Sequence, residues 1–413
     1  MNAHTKTITR QDVAKLDAAD PLAHCRDLFQ LPEGVIYLDG NSLGALPKSV
    51  PPRMSRAIEQ EWGVGLIRSW NDADWYPAPQ RVGGRIAPLI GAAVDEVIAA
   101  DSTSVNLFKV LVAALRMRPG RTRIVGEIGN FPTDVYVASG VAELMNADFV
   151  ALEPDAVLDA IDERVAIVSL THVNYKTGRV YDMAEITRRA HAVGALVVWD
   201  LCHTAGAMPC DLNGAQADFA VGCGYKYLNG GPGAPAFVYV AKRHHAALHQ
   251  PLTGWHGHAR PFEFVHGYEP APGMDRMLVG TASQLGLISL EAALEAFDGV
   301  DMAVLRSKSE VMTDLFIRLA DQELTGFGLA TPRDAATRGS QVSLTHPEGY
   351  AIMQALIARG VIGDFRAPNI LRFGFAVLYL SFDDVWNAIA TLKDIMDTKV
   401  WMEPEFQQRK AVT

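Results

Sequence analysis

At 413 residues and 44.8 kDa the chain is too long for one small core, so two domains are expected. With 49% hydrophobic and 20% charged residues it reads as an ordinary soluble globular protein. A net charge of -10 and a pI near 5.6 give no footing for nucleic acid or an anionic membrane as partner.

The opening Met1-Asn2-Ala3-His4-Thr5-Lys6 is polar and has no apolar core of a secretion leader. No uncharged apolar run is long enough to span a bilayer, so a cytoplasmic location is expected. The four cysteines, Cys25, Cys202, Cys210 and Cys223, contain no C-x-x-C pair, which argues against zinc-ribbon and thioredoxin chemistry. Three of the four lie in or beside apolar segments and read as packed thiols of a reducing compartment.

In chain order, Thr9-Arg10-Gln11-Asp12 can start a helix, and Val35–Leu38 reads as a short strand. The turn-rich Asp39-Gly40-Asn41-Ser42-Leu43-Gly44 breaks it. Pro51 and Pro52 suit the opening of a helix that runs towards Trp62. Asp101-Ser102-Thr103-Ser104 supplies capping groups ahead of Val105–Leu115, whose apolar residues recur at helical spacing.

Apolar strand candidates follow at Ile124-Val125, Phe149–Leu152, Val165–Leu170, Ala195–Trp199 and Phe219–Val221, with a helix over Met183–Val193. Continuous apolar strands alternating with helices predict a parallel sheet covered on both faces. Phe237–Val240 follows the turn around Lys226 so closely that an antiparallel return is expected. From Gln284 to about Gln322 the pattern is one long helical stretch. Val342–Leu344, a helix over Pro347–Arg359, Val361-Ile362, Leu371–Gly374 and a helix over Asp383–Met396 make a small α+β domain. The expected division is 1–50 as an arm and part of the small domain, 51–290 as the large domain, and 291–413 as the small domain.

Two residues concentrate the chemistry. Lys226 sits in Gly224-Tyr225-Lys226-Tyr227, ahead of the run Asn229-Gly230-Gly231-Pro232-Gly233-Ala234-Pro235. Asp200 ends the apolar run Ala195–Trp199. A lysine in a tight turn and an acid at a buried strand end are what pyridoxal phosphate chemistry needs. The amine forms the Schiff base, and the carboxylate keeps the ring nitrogen protonated. Taken singly each has a plainer reading, as a surface lysine and a strand-end cap. His203 lies about one turn past Asp200, where ligands of α/β sheets bind. Desolvation can lower the Lys226 pKa and free its amine.

Thr103 and Ser104 open a helix and so can seat a phosphate as well as cap it. Phe131-Pro132-Thr133-Asp134 offers an aromatic face and an acid, though the tetrapeptide alone is an unspecific turn. Thr171 can donate to a ring or merely end its strand, and Trp255 and Gly280-Thr281 allow equally plain readings. Arg372, a lone charge in an apolar strand, needs an anion: a substrate carboxylate or an internal acid. His244-His245 and His256-x-His258 have no supporting ligand framework, so no metal site is expected.

Together these segments resemble the kynureninase family, from Tyr37–Gly44 to the Arg372 strand. The most specific parts are Phe131-Pro132-Thr133-Asp134, Trp199-Asp200-Leu201-Cys202-His203 and Gly224–Gly233. The resemblance implies an α/β protein of the fold-type-I (aspartate aminotransferase) class, with a mainly parallel seven-stranded sheet and a smaller α+β domain. It implies pyridoxal 5'-phosphate as cofactor and Lys226 as the Schiff-base lysine. Asp200 becomes the acid on the ring nitrogen, with His203 beside it. Thr103, Ser104 and Tyr225 fall at the phosphate end, Phe131 on the ring, and Asp134 and Thr171 around it. Trp255 and Thr281 fall at a phosphate site shared across a homodimer, and Arg372 at the substrate α-carboxylate.

The implied reaction is hydrolysis of L-kynurenine, or its 3-hydroxy form, to anthranilate and L-alanine in tryptophan degradation. Tyr225 is the candidate proton relay. Trp62 and the small residues Gly280-Thr281 look like the kynurenine-preferring pattern. The rivals are an aminotransferase, a cysteine desulfurase-like lyase, and a non-catalytic cofactor carrier. No cysteine follows Cys223, which argues against the desulfurase.

Overall fold

A computed structural model describes residues 7–409; the polar opening Met1–Lys6 lies outside them. Two compact units form. One takes in the chain up to Lys48, Lys176–Val180 and everything from Ala296; the other takes in Ser49–Tyr175 and Tyr181–Glu295.

The second unit is built on a seven-stranded sheet. Its strands are β1 (Val97–Ala99), β2 (Arg123–Glu127), β3 (Asp148–Leu152), β4 (Val165–Thr171), β5 (Leu196–Asp200), β6 (Phe219–Gly222) and β7 (Phe237–Val240). They lie side by side in the order β1-β7-β6-β5-β4-β2-β3. From β6 to β3 every pairing is parallel, and only β7 runs against its neighbours. Every residue of β4, β5, β6 and β7 is buried, which is why they read as unbroken apolar runs. The edge strand β1 was not expected, because three residues are too few to show a period.

Helices α1 (Thr103–Arg116), α2 (Pro132–Leu144), α3 (Met183–Ala192) and α4 (Gln284–Ala293) belong to this unit. Ser102 caps α1: its Oγ accepts from the Val105 N–H at 3.3 Å. Leu107, Val110, Leu111 and Ala114 bury the apolar face of α1 in the same core as Ile167, Val198 and Val221 of the sheet. Each large side chain so buried is worth about 1.5–3 kcal/mol.

The helix opened by Pro51 and Pro52 is α-helical only over Val50–Arg56. From Ala57 to Gly65 the coil widens to i→i+5 bonding. Glu61 within it is buried, with Trp75 Nε1 donating to Oε2 at 3.0 Å and Arg53 at 2.9 Å from Oε1. Trp62 therefore turns outward and is 56% exposed.

The other unit carries β8 (Gly328–Leu329), β9 (Gln341–Thr345), β10 (Asp364–Arg366) and β11 (Ile370–Gly374) in the antiparallel order β8-β9-β11-β10. Ile36–Tyr37 pairs parallel with Val361–Ile362. Helices α5 (Met302–Glu323), α6 (Gly349–Ala358) and α7 (Phe382–Thr398) complete it. Phe316 of α5 packs on Phe373 and Phe375, with ring centroids 4.9 and 5.4 Å away. The expected helix over 284–322 is broken, because Gly299 turns at φ +77° and Asp301 caps a new start at α5. Among the described residues no helix is long and apolar enough to cross a membrane.

Candidate active site

The carboxyl ends of the adjacent strands β2, β4, β5 and β6 and the amino end of α1 surround a cavity of about 110 Å³. This edge is where an α/β sheet leaves backbone groups and loops free for a ligand. Asp200 is the last residue of β5, and its Oδ1 accepts from the Cys202 N–H at 2.7 Å. That bond bends the chain so that His203 also lines the cavity.

Lys226 stands four residues beyond β6 in a loop closed on itself. Gly230 N donates to Gly224 O, and Asn229 N to Lys226 O, both at 2.9 Å. A side chain at Gly224 would run into the Pro235 carbonyl and Leu290. Asn229 takes the left-handed conformation at φ +58°. The closed loop leaves Lys226 Nζ 3.2 Å from His203 Nε2. Nζ also lies 5.8 Å from the Phe131 ring centroid and 5.9 Å from that of Tyr225.

Burial alone pulls a lysine amine down. Here anionic neighbours, Cys223 first and Asp200 among them, push the other way and prevail, so Lys226 is held above its ordinary value. This corrects the expectation that desolvation frees the amine. Burial, reinforced by Cys223, pushes the Tyr225 phenol up to about 12.

Asp134 opens α2 and is buried beside Asp200. Burial and then the Asp200 charge hold Asp134 far above the carboxylate range, and the two side chains are hydrogen bonded. The pair thus carries one proton and one negative charge. Asn130 Nδ2 donates to Asp134 Oδ2 at 2.9 Å, and Asn130 Oδ1 accepts from the Phe131 N–H at 2.7 Å.

Thr103 and Ser104 face the same cavity from the first turn of α1, with Thr103 Oγ1 3.8 Å from Cys202 Sγ. Thr171 lines it too, but its hydroxyl donates to the Val173 carbonyl at 3.0 Å. With its proton so used, the Thr171 hydroxyl presents lone pairs to the cavity. Trp255 and Thr281 are exposed and do not line this cavity in their own chain. Trp255 lies on a different cavity of about 390 Å³ and stacks on His256 at 4.8 Å.

Arg372, in the other unit, has an internal acid. Asp364 stands opposite it on β10, accepting from Arg372 Nε at 2.9 Å and from Nη2. Ser42 Oγ takes a second bond from Nη2 at 2.7 Å. The fork expected to clasp a substrate carboxylate is therefore occupied by Asp364. Arg366 Nη2 meets the same carboxylate at 2.7 Å. Burial, with Asp364, pushes nearby Asp39 up to about 8. At neutral pH the cluster holds two guanidiniums, one carboxylate and one protonated acid, and keeps a net positive charge.

Three cavity residues had not been singled out for the site: Thr133, Tyr175 and Cys202. Thr133 and Cys202 lie inside motifs already marked. Tyr175 could have been found only from its place four residues beyond a strand end.

The donor set suits pyridoxal phosphate. A helix amino terminus with two hydroxyls fits a phosphate, a singly protonated carboxylate pair fits a ring nitrogen, and an amine fits an aldehyde carbon. All three open onto one cavity.

The kynureninase C-terminal domain family matches residues 305–392. A protein named kynureninase from Burkholderia mallei (strain SAVP1) is 52% identical over 414 residues, covering 98% of this chain and 100% of the relative. One from Pseudomonas fluorescens is 52% identical over 417 residues, with the same coverage. Among solved structures, the cysteine desulfurase CsdA from Escherichia coli superposes with a TM-score of 0.76 at 20% identity, covering 91% of this chain and 98% of its own. A mutant of C-DES with glycine covalently linked to the PLP cofactor gives 0.77 at 16% identity, covering 94% and 100%. These structures share the fold, which is that of PLP-dependent enzymes of fold type I. The near full-length identity goes further: the chain belongs to the kynureninase family.

Proposed function

We propose that the chain is a kynureninase. It hydrolyses the Cβ–Cγ bond of L-kynurenine, and of 3-hydroxykynurenine, to anthranilate or 3-hydroxyanthranilate and L-alanine in tryptophan degradation. The observation that carries this reading is the meeting of Lys226, the Asp134–Asp200 pair and the α1 terminus on one cavity, in a chain of this family.

Pyridoxal phosphate, when bound, supplies a sink for the electron pair left by loss of the substrate's Cα proton. Thr103, Ser104 and Tyr225 would hold its phosphate and Lys226 its aldehyde carbon. Asp200, backed by Asp134, would hold its ring nitrogen, with His203, Phe131 and Thr171 around the ring. Lys226 Nζ is the base for the Cα proton. An ion pair at Asp200 withdraws one of the charges that keep Lys226 protonated. Tyr225, a phenol at neutral pH, donates a proton to the γ-carbonyl oxygen as water adds to that carbon. Bond cleavage then leaves a carboxylic acid on the arene fragment and a pair on Cβ, which a proton quenches to give alanine.

The net positive Arg366–Arg372–Asp364 cluster serves the substrate α-carboxylate. Trp255 and Thr281 serve the phosphate site of a second copy in a cytoplasmic homodimer. Trp62 and Gly280-Thr281 favour kynurenine over its 3-hydroxy form. Incubation with L-kynurenine, read by anthranilate fluorescence, tests the reading. Absence of anthranilate, with alanine released from cysteine or an amino group passed to a keto acid instead, would refute it.

A further inference from the structure

Phe131 is fixed at its backbone but not obviously at its ring. Its N–H is held by Asn130 Oδ1, it is followed by Pro132, and it caps the start of α2. The residue is 41% exposed. Its orientation must come from what touches it. The loop after β4 lies against the loop after β2. Asn174 Nδ2 donates to the Gly129 carbonyl at 3.1 Å and to Glu127 Oε1 at 3.0 Å. Tyr181 donates to the other oxygen of Glu127 at 3.1 Å. These bonds tie the two loops together beside the cavity. The next residue, Tyr175, meets Phe131 edge to face, with centroids 5.2 Å apart and planes at 87°. That is a favoured arrangement of two rings.

We infer that Tyr175 is a positioning residue: its ring, carried by a loop that Asn174 anchors, sets the tilt of Phe131 over the site. The inference rests on the functional reading above, in which Phe131 faces the cofactor ring. Tyr175 itself lines the cavity, and what it brings against Phe131 is its ring.

Tyr175→Leu and Tyr175→Phe separate the ring from the hydroxyl. Four quantities are read: the dissociation constant for pyridoxal phosphate, the visible circular dichroism of the bound cofactor, kcat and KM, and the thermal midpoint of the cofactor-free chain. Tyr175→Leu is expected to weaken cofactor binding about two- to tenfold, the range an edge-to-face pair supports. It should also change the dichroic band and lower kcat more than it raises KM. Tyr175→Phe should restore all of these. Failure of Tyr175→Phe to rescue would assign the effect to the hydroxyl and overturn the inference. So would a Tyr175→Leu chain that lowers the cofactor-free midpoint while leaving the dichroism unchanged, since that is a purely structural role. A wild-type chain that takes up no pyridoxal phosphate overturns the functional reading as well. Normal wild-type uptake with unaltered Tyr175→Leu overturns this inference alone.

Discussion

Asp134 and Asp200 form a buried pair that holds one proton, and Asp134→Asn tests which of them carries the charge. Asparagine has the shape of the protonated acid. Its amide can donate to Asp200 and its carbonyl can accept from Asn130 Nδ2, so the change should cost about 1 kcal/mol or less. Asp134→Ala instead leaves the Asn130 donor and the Asp200 acceptor each short of a partner. At about 1–3 kcal/mol for each buried loss, that is about 2–6 kcal/mol. The pH dependence has a definite sign. Burial and Asp200 raise Asp134, so its proton is held above the usual carboxylate range and lost as pH rises through the raised value. The wild type should lose stability on that alkaline limb, as two carboxylates come to face each other, and Asp134→Asn should not. The assay is thermal unfolding of the cofactor-free protein across pH, with turnover measured in parallel. Asp134→Asn should keep turnover within about tenfold, while Asp200→Asn should lose about a hundredfold or more. An Asp134→Asn chain as impaired as Asp200→Asn, or one that keeps the alkaline limb, would refute the shared-proton account.

Asp39 gives a second pH effect. As it ionises near pH 8 the Arg372 cluster loses its net positive charge, so KM for kynurenine should rise above that pH, and in Asp39→Asn it should stay flat. Asp218, at the foot of β6, is buried and takes bonds from Val197 N, His191, His244 and Arg243 at 2.7–2.8 Å. Asp218→Ala should cost about 3–5 kcal/mol in denaturant unfolding while kcat at low temperature is kept. Burial works against the Asp218 charge, but those donors hold its pKa below the usual range. Its contribution is therefore present above that range and lost as pH falls through the depressed value. Lys226→Ala mixed with Trp255→Ala should regain activity, because a heterodimer puts both defects in one site and leaves the other whole. A mixture that forms heterodimers yet stays inactive would sink the cross-subunit role.

The sheet was legible wherever burial on both faces left an apolar run. β4, β5 and β6 appear in the sequence nearly residue for residue, and so does the antiparallel β7. The Ser102-capped α1 was legible from its hydroxyl residues. What escaped was short or depended on tertiary partners. β1 and β10 have three residues each. Without β10 the acid opposite Arg372 could not be named, so two readings of that arginine stayed open. The π segment of Ala57–Gly65 holds Glu61 buried against Trp75 and Arg53, a tertiary arrangement that no local pattern shows. The direction of the Lys226 shift likewise depends in part on Cys202 and Asp200, brought from the end of β5, beside its near neighbours Cys223 and Tyr225.

The fold alone does not separate this chain from the cysteine desulfurases it superposes on; near full-length identity to kynureninases does, and the cavity side chains agree. A desulfurase needs a thiolate that can reach the substrate's sulfur. Cys202 is the one thiol that lines the cavity described here. Its hydrogen bond with Cys223 and its burial both push its pKa well above that of a free thiol. It therefore stays protonated at neutral pH and is a poor nucleophile. Cys223 lies behind it, with its Sγ 3.9 Å from the Cys202 carbonyl, and the sequence has no cysteine further on. The groups that do face the cavity move protons instead. Lys226 is close to His203, and Tyr225 is a phenol that keeps its proton. Such a set is suited to taking a proton from one carbon and delivering one to a carbonyl oxygen, as hydrolysis beside a ketone requires and sulfur transfer does not.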